Sequence, residues 1–167
     1  MASRDYEKIA FTRLSEVDPL VIIELMNDPA VRRHLPLARG HFGPSECEKF
    51  VADKERIWEE HGYGPWAFVI DDEFIGWGGL QPEGDDVDVG LVLRPSYWGA
   101  GGVLFRRIIA YAFDELGIDS VIALLPPSRM RVAGMRRLGF RRDGEAVLGD
   151  ERFLRYRLTA SRNHERG

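Results

Sequence analysis

The sequence predicts an α+β domain in which helices flank a mostly antiparallel central sheet, and three observations carry that expectation. Apolar residues recur at helical spacing through Cys47, Phe50, Val51, Ile57 and Trp58, and again from Val103 to Leu116. Short apolar runs separated by a polar turn fill Trp66 to Leu80. Asp86 to Leu93 alternates, with Val87, Val89, Leu91 and Leu93 on one face and Asp86, Asp88, Gly90 and Val92 on the other.

Taken in order, Ile9 to Leu14 reads as a first strand, and Asp18-Pro19 caps a short helix running through Met26. Asn27-Asp28-Pro29 repeats that start signal, and Gly43-Pro44 opens a longer helix that Gly62 ends. Trp66–Ile70 and Phe74–Leu80 form a hairpin about Asp71-Asp72-Glu73, and Asp86–Leu93 follows as a strand. Gly99-Ala100-Gly101-Gly102 then leads into a helix over Val103–Leu116, closed by Gly117. Ser120–Leu125 is a strand, Ser128–Leu138 a helix stopped by Gly139, and Phe140–Val147 with Arg152–Thr159 a last hairpin around Gly149-Asp150. Residues 1–167 are expected to form one domain, because 44% hydrophobic content over this length suffices for one core and not two. The tail from about residue 161 to 167 reads as frayed.

Composition excludes several classes of function. A net charge of −4 opposes broad phosphate-backbone binding, so no nucleic acid partner is expected. No apolar run reaches membrane-spanning length, no secretory signal pattern opens the sequence, and the lone Cys47 has no disulfide partner in the chain. Together these point to a reducing cytoplasm. His34, His41, His61 and His164 lack metal-ligand spacing, so no metal is expected. The arginines are uneven, however, crowding at positions 129, 131, 136, 137, 141 and 142, where one or two are candidates for an anionic ligand.

The chemistry concentrates in the strand, loop and helix from Asp88 to Val103. Glycines allow close approach of a ligand to the backbone, and a helix's first turn offers unpaired N–H groups and a positive dipole end, a combination suited to pyrophosphate. No Gly-Lys-Ser/Thr follows, and the third glycine is misplaced for a dinucleotide fingerprint. The same loop also reads as a plain tight turn.

At this point the sequence resembles the GNAT superfamily, especially its RimJ/RimL-type branch of protein N-terminal acetyltransferases and their small-molecule relatives. The shared features are Asn27-Asp28-Pro29, Gly62-Tyr63-Gly64-Pro65-Trp66-Ala67, Ile75-Gly76, Pro95-Ser96-Tyr97-Trp98-Gly99-Ala100-Gly101 and Leu138-Gly139-Phe140. The resemblance implies the acyl-CoA N-acyltransferase fold, with a splayed pair of strands holding the cofactor. It implies acetyl-CoA as acetyl donor, bound by Leu91, Val92, Leu93 and Arg94 and by Trp98, Gly99, Ala100, Gly101, Gly102 and Val103. It also implies a neutral amine acceptor that attacks the thioester directly.

By the same resemblance Asp88 stands where many relatives carry an acidic residue that some use as general base, with Asp86 a weaker substitute. A solvated or ion-paired strand carboxylate is the competing reading. The family's Pro-x-Asn segment places Ser128 at the Asn position, as proton donor and cofactor contact or simply as helix N-cap. Arg131, Met135 and Phe105 replace a serine, a tyrosine acid and a glutamate of the family pattern. Those departures keep a second reading open, an acyl-CoA-binding module without turnover. Tyr63, Trp66 and Trp77 are candidates for the acceptor pocket or for core. Relatives occur as monomers and dimers, and the reading leans to a homodimer.

Overall fold

The computed structural model describes residues 5–35, 40–127 and 132–161. Seven strands form one sheet in the order β1-β2-β3-β4-β5-β7-β6. They are β1 (Ala10–Thr12), β2 (Pro65–Ile70), β3 (Glu73–Glu83), β4 (Asp86–Leu93), β5 (Ser120–Leu125), β6 (Arg141–Leu148) and β7 (Glu151–Thr159). All neighbours are antiparallel except β4 and β5. The expected mixed sheet flanked by helices is therefore present.

The helices are α1 (Pro19–Asn27), α2 (Pro29–Arg32), α3 (Pro44–His61), α4 (Gly101–Ala110) and α5 (Val132–Arg137). Asp18 and Asp28 cap α1 and α2 by accepting from the Leu20 and Ala30 N–H groups, each with proline at the first helical position. At α3 the Glu46 carboxylate accepts from the Gly43 N–H at 2.9 Å, and Gly62 terminates the helix in the left-handed region at φ 75°.

Two apolar cores lie on opposite faces of the sheet. Leu104 and Ile108 of α4 pack on Ile75, Leu80, Val89 and Leu93. Ile22, Leu25 and Met26 of α1 and Cys47 of α3 pack on Ala67, Phe74 and Trp77 of the other face. Trp66 joins the first core against Phe11, Trp58 and Tyr111.

Several expected boundaries move. The first strand shortens to Ala10–Thr12 because a 3-10 turn takes Leu14–Glu16. β3 runs on to Glu83, since its partner β4 pairs it down to Asp86. α4 starts at Gly101 rather than Val103, continuing a 3-10 turn over Pro95–Ala100, and after Ala110 widens into a π turn over Tyr111–Glu115. Ser128, the start of its expected helix and residues 162–167 lie outside the described residues.

Candidate active site

The only register pair joining β4 to β5 is Asp88↔Ile122. Beyond it, the β5-facing backbone edge of β4 has no strand partner among the described residues, while β5 pairs fully with β7 on its other side. Backbone donors and acceptors left in this way are ready to bind an extended ligand. A cavity of about 800 Å³ occupies the resulting gap and opens on both faces of the sheet.

On the α4 side the wall comprises Leu91, Leu93, Trp98, Gly101, Gly102, Phe105 and Arg106, with Met135 and Arg137 of α5 opposite. Trp98 is held by donating its indole N–H to the Leu93 carbonyl at 2.9 Å. The first turn of α4 carries no side-chain cap, the Gly101 N–H donates to the Trp98 carbonyl of the preceding 3-10 turn, and the positive dipole end of the helix faces the cavity at Gly101 and Gly102. Gly101 has ordinary helical angles (φ −54°, ψ −44°). A Cβ placed on it would meet nothing nearer than Leu91 Cδ1 at 4.0 Å, and one on Gly102 nothing nearer than the Arg106 guanidinium at 3.7 Å. Neither glycine is required by packing or by backbone angle. What they preserve is open space over the helix N-terminus, the fit a pyrophosphate needs.

Of the residues expected to contact the cofactor, Leu91, Val92, Leu93, Trp98, Gly101 and Gly102 line the cavity. Arg94, Gly99, Ala100 and Val103 do not. The Arg94 guanidinium is engaged by the Phe74 carbonyl at 2.7 Å and Glu24 at 2.8 Å, tying the loop to α1. Ala100 is fully buried in the core, Gly99 is exposed beside the Tyr6 hydroxyl, and Val103 is half-buried outside the lining. Arg106 was not foreseen as a phosphate contact. Like Arg137, it forms no ion pair among the described residues.

On the α3 side the cavity is bounded by Met26, Val31, Leu35, Phe50, Lys54, Trp77 and Gln81. Cross-strand register puts Asp88 opposite Gln81 and Val92 opposite Trp77, so the Asp88 side chain shares this face. Asp88 is not itself among the lining residues, whereas its register partner Gln81 and its neighbour Val89 are. Burial pushes its carboxyl up to about 7, with Glu83 adding to the rise and the Leu124 N–H and Lys54 opposing it. Asp86 differs sharply. Arg157 grips it at 2.8 and 3.2 Å, holding its carboxyl below the ordinary range and leaving it unsuited to accept a proton at neutral pH.

Lys54 was missed by sequence reasoning. Its Nζ donates to Gln81 Oε1 at 2.6 Å and lies 5.3 and 5.2 Å from the Phe50 and Trp77 ring centroids. Burial lowers its ammonium below the usual lysine range, while Asp53 and Asp88 hold it up. The available signal was its position, since Lys54 falls in phase with Cys47, Phe50 and Trp58 on the apolar stripe of α3. Trp77 lines the cavity, whereas Tyr63 and Trp66 do not. Met135 and Phe105 line it as apolar wall, and no hydroxyl or thiol side chain occurs among the described lining residues. Among the described residues no group of three or more His, Cys, Asp or Glu could hold a metal, and no helix is long and apolar enough to cross a membrane.

A family model described as an acetyltransferase (GNAT) domain matches residues 8–141. The structure of an acetyltransferase from Agrobacterium tumefaciens str. C58 superposes with a TM-score of 0.76 at 17% identity, covering 96% of this chain and 95% of that one. The Campylobacter jejuni N-acetyltransferase PseH, solved in complex with acetyl coenzyme A, superposes at 0.63 with 16% identity over 92% and 99% of the two chains. An FsC-acetyl coenzyme A-N(2)-transacetylase of Aspergillus fumigatus is 33% identical over 73 residues, or 36% of this chain and 31% of that protein. The match thus spans about a third of the length of that curated relative.

Proposed function

Because the chain belongs to the acetyltransferase (GNAT) domain family, we propose that it is an N-acetyltransferase that moves an acetyl group from acetyl-CoA to a primary amine. The observation that carries this reading is the single cavity passing through the splayed β4–β5 gap. It connects the α4 N-terminus on one face with Lys54 and Gln81, the register partner of Asp88, on the other.

When bound, acetyl-CoA supplies the activated thioester. The chain's own residues do the rest. The α4 N-terminus, with its positive dipole end and the open space over Gly101 and Gly102, binds the pyrophosphate, and Arg106 and Arg137 add charge for the phosphates. The edge of β4 beyond Asp88, which has no strand partner on its β5 side, orients the pantetheine arm, and its N–H groups polarise the carbonyl where negative charge develops. Leu124, Leu125, Phe105, Met135 and Phe153 wall the gap and exclude water. Asp88 accepts the proton of the incoming amine, a role its carboxyl is tuned for near neutral pH.

The RimJ/RimL-type assignment, with a protein N-terminus or a small-molecule amine as acceptor, is part of this proposal. So is a cytoplasmic location, which the buried, unpaired Cys47 thiol suits. The test is continuous detection of coenzyme A thiol during incubation with acetyl-CoA and single amines. Thiol release that depends on both partners is expected. Saturable acetyl-CoA binding with no amine-dependent release would instead favour the non-catalytic binding module.

A further inference from the structure

We infer that the acceptor is a small apolar or aromatic α-amino acid, its amine presented to Asp88 and its carboxylate received by Lys54. This rests on the acetyltransferase reading of the same cavity. Lys54 and Asp88 are linked through Gln81: Lys54 Nζ is 2.6 Å from Gln81 Oε1, and Gln81 stands opposite Asp88 in the β3–β4 register. Residues so paired have Cβ atoms about 5 Å apart, and the Lys54 and Asp88 charges are near enough that each acts on the other. An ammonium and a carboxylate that neighbour one another across Gln81 complement an amine and a carboxylate joined through one carbon.

The remaining surroundings point the same way. Of three N–H groups on Lys54, one serves Gln81, and the nearby Phe50 and Trp77 rings attract the charge without accepting a strong hydrogen bond. The lysine thus keeps donor capacity toward the cavity. Met26, Val31, Leu35, Phe50 and Trp77 form an apolar receptacle for a side chain. Among the described lining residues there is neither Asp nor Glu. Polyamines and aminoglycosides carry several positive charges, and described lining residues that include Lys54 but no carboxylate give them little to pair with.

The experiment compares kcat/KM for L-phenylalanine, L-methionine, L-phenylalaninamide and spermidine, with acetyl-CoA saturating, in the parent protein and in Lys54→Met and Lys54→Arg. The amide's amine deprotonates more readily, so preference for the acid cannot arise from amine reactivity. The expected result is at least a tenfold preference, roughly the value of one charge-assisted pair, for phenylalanine over its amide. Lys54→Met should abolish that preference mainly by raising KM for the acids, and Lys54→Arg should restore part of it. Preference for spermidine or the amide, or a preference unchanged in Lys54→Met, would overturn the inference while leaving the acetyltransferase reading intact. Thiol release with no amine at all would end both.

Discussion

Asp88→Asn is expected to lower kcat by a hundredfold or more while leaving acetyl-CoA affinity unchanged, the loss typical of removing a general base. Asparagine preserves the size and hydrogen-bonding reach of the side chain but cannot take a proton. The pH dependence gives the sharper readout. A base with its carboxyl near 7 is active only when ionised, so the parent's kcat should rise through about pH 7 and level off above it. In Asp88→Asn that inflection should vanish.

Stability should move in the opposite direction. The Asp88 carboxyl loses its proton near 3.8 in the unfolded chain and near 7 in the fold. Between those values the folded state keeps a proton that the unfolded state has released. Stability therefore falls as pH rises from about 4 to 7 and stays lower above. Asp88→Asn removes that loss, so it should melt above the parent at pH 8 and level with it at pH 4. Lys54 loses an attractive neighbour in the variant, which offsets part of the gain. Lower activity with a higher melting temperature is the signature of a charge buried for chemistry rather than for the fold. Thermal melts at the two pH values, set beside the pH–rate profiles, would separate this account from one in which Asp88 merely supports its strand.

The second large effect is expected from Gly101→Glu, which should weaken acetyl-CoA binding by about a hundredfold or more. The geometry isolates binding from folding. Gly101 has helical angles open to any residue, and a Cβ there meets only Leu91 Cδ1, at 4.0 Å. A glutamate in the first turn of a helix is favourable to the helix itself, because its charge opposes the positive dipole end. The variant should fold as well as the parent. Its carboxylate would nevertheless occupy the anion cradle of α4 and repel the pyrophosphate. Equal affinity in parent and variant, measured by calorimetry, would mean that the cofactor loop lies elsewhere.

Much of the architecture was legible because it rests on local chemistry. Asp86–Leu93 and Ser120–Leu125 were read with their observed bounds, since alternation and short apolar runs report strands directly. Gly62 and the Asp71-Asp72 turn likewise announce themselves, the two aspartates adopting φ of 52° and 64°. What was not legible depends on distant partners. The widened end of α4 arises in a continuous helical pattern, and no spacing in the sequence marks where the helix becomes a π turn.

The site divides in the same way. The glycine loop and Asp88 were visible as a motif, but the elevated Asp88 carboxyl is produced by burial and by Glu83, with Leu124 and Lys54 opposing. The resemblance implied Arg94 as a cofactor contact, whereas its guanidinium is engaged by Phe74 and Glu24 from other elements. Lys54 sits unremarked within the apolar stripe of α3 in the sequence. Only the packing of α3 across β3 makes it a charged wall of the cavity.

The most direct test of the account is calorimetric titration of the protein with acetyl-CoA, using coenzyme A and ATP as comparison ligands. Saturable one-to-one binding of both coenzyme A forms, with no binding of ATP, is the predicted result. Absence of binding by acetyl-CoA and coenzyme A alike would contradict the assignment of the β4–β5 cavity as an acetyl-donor site.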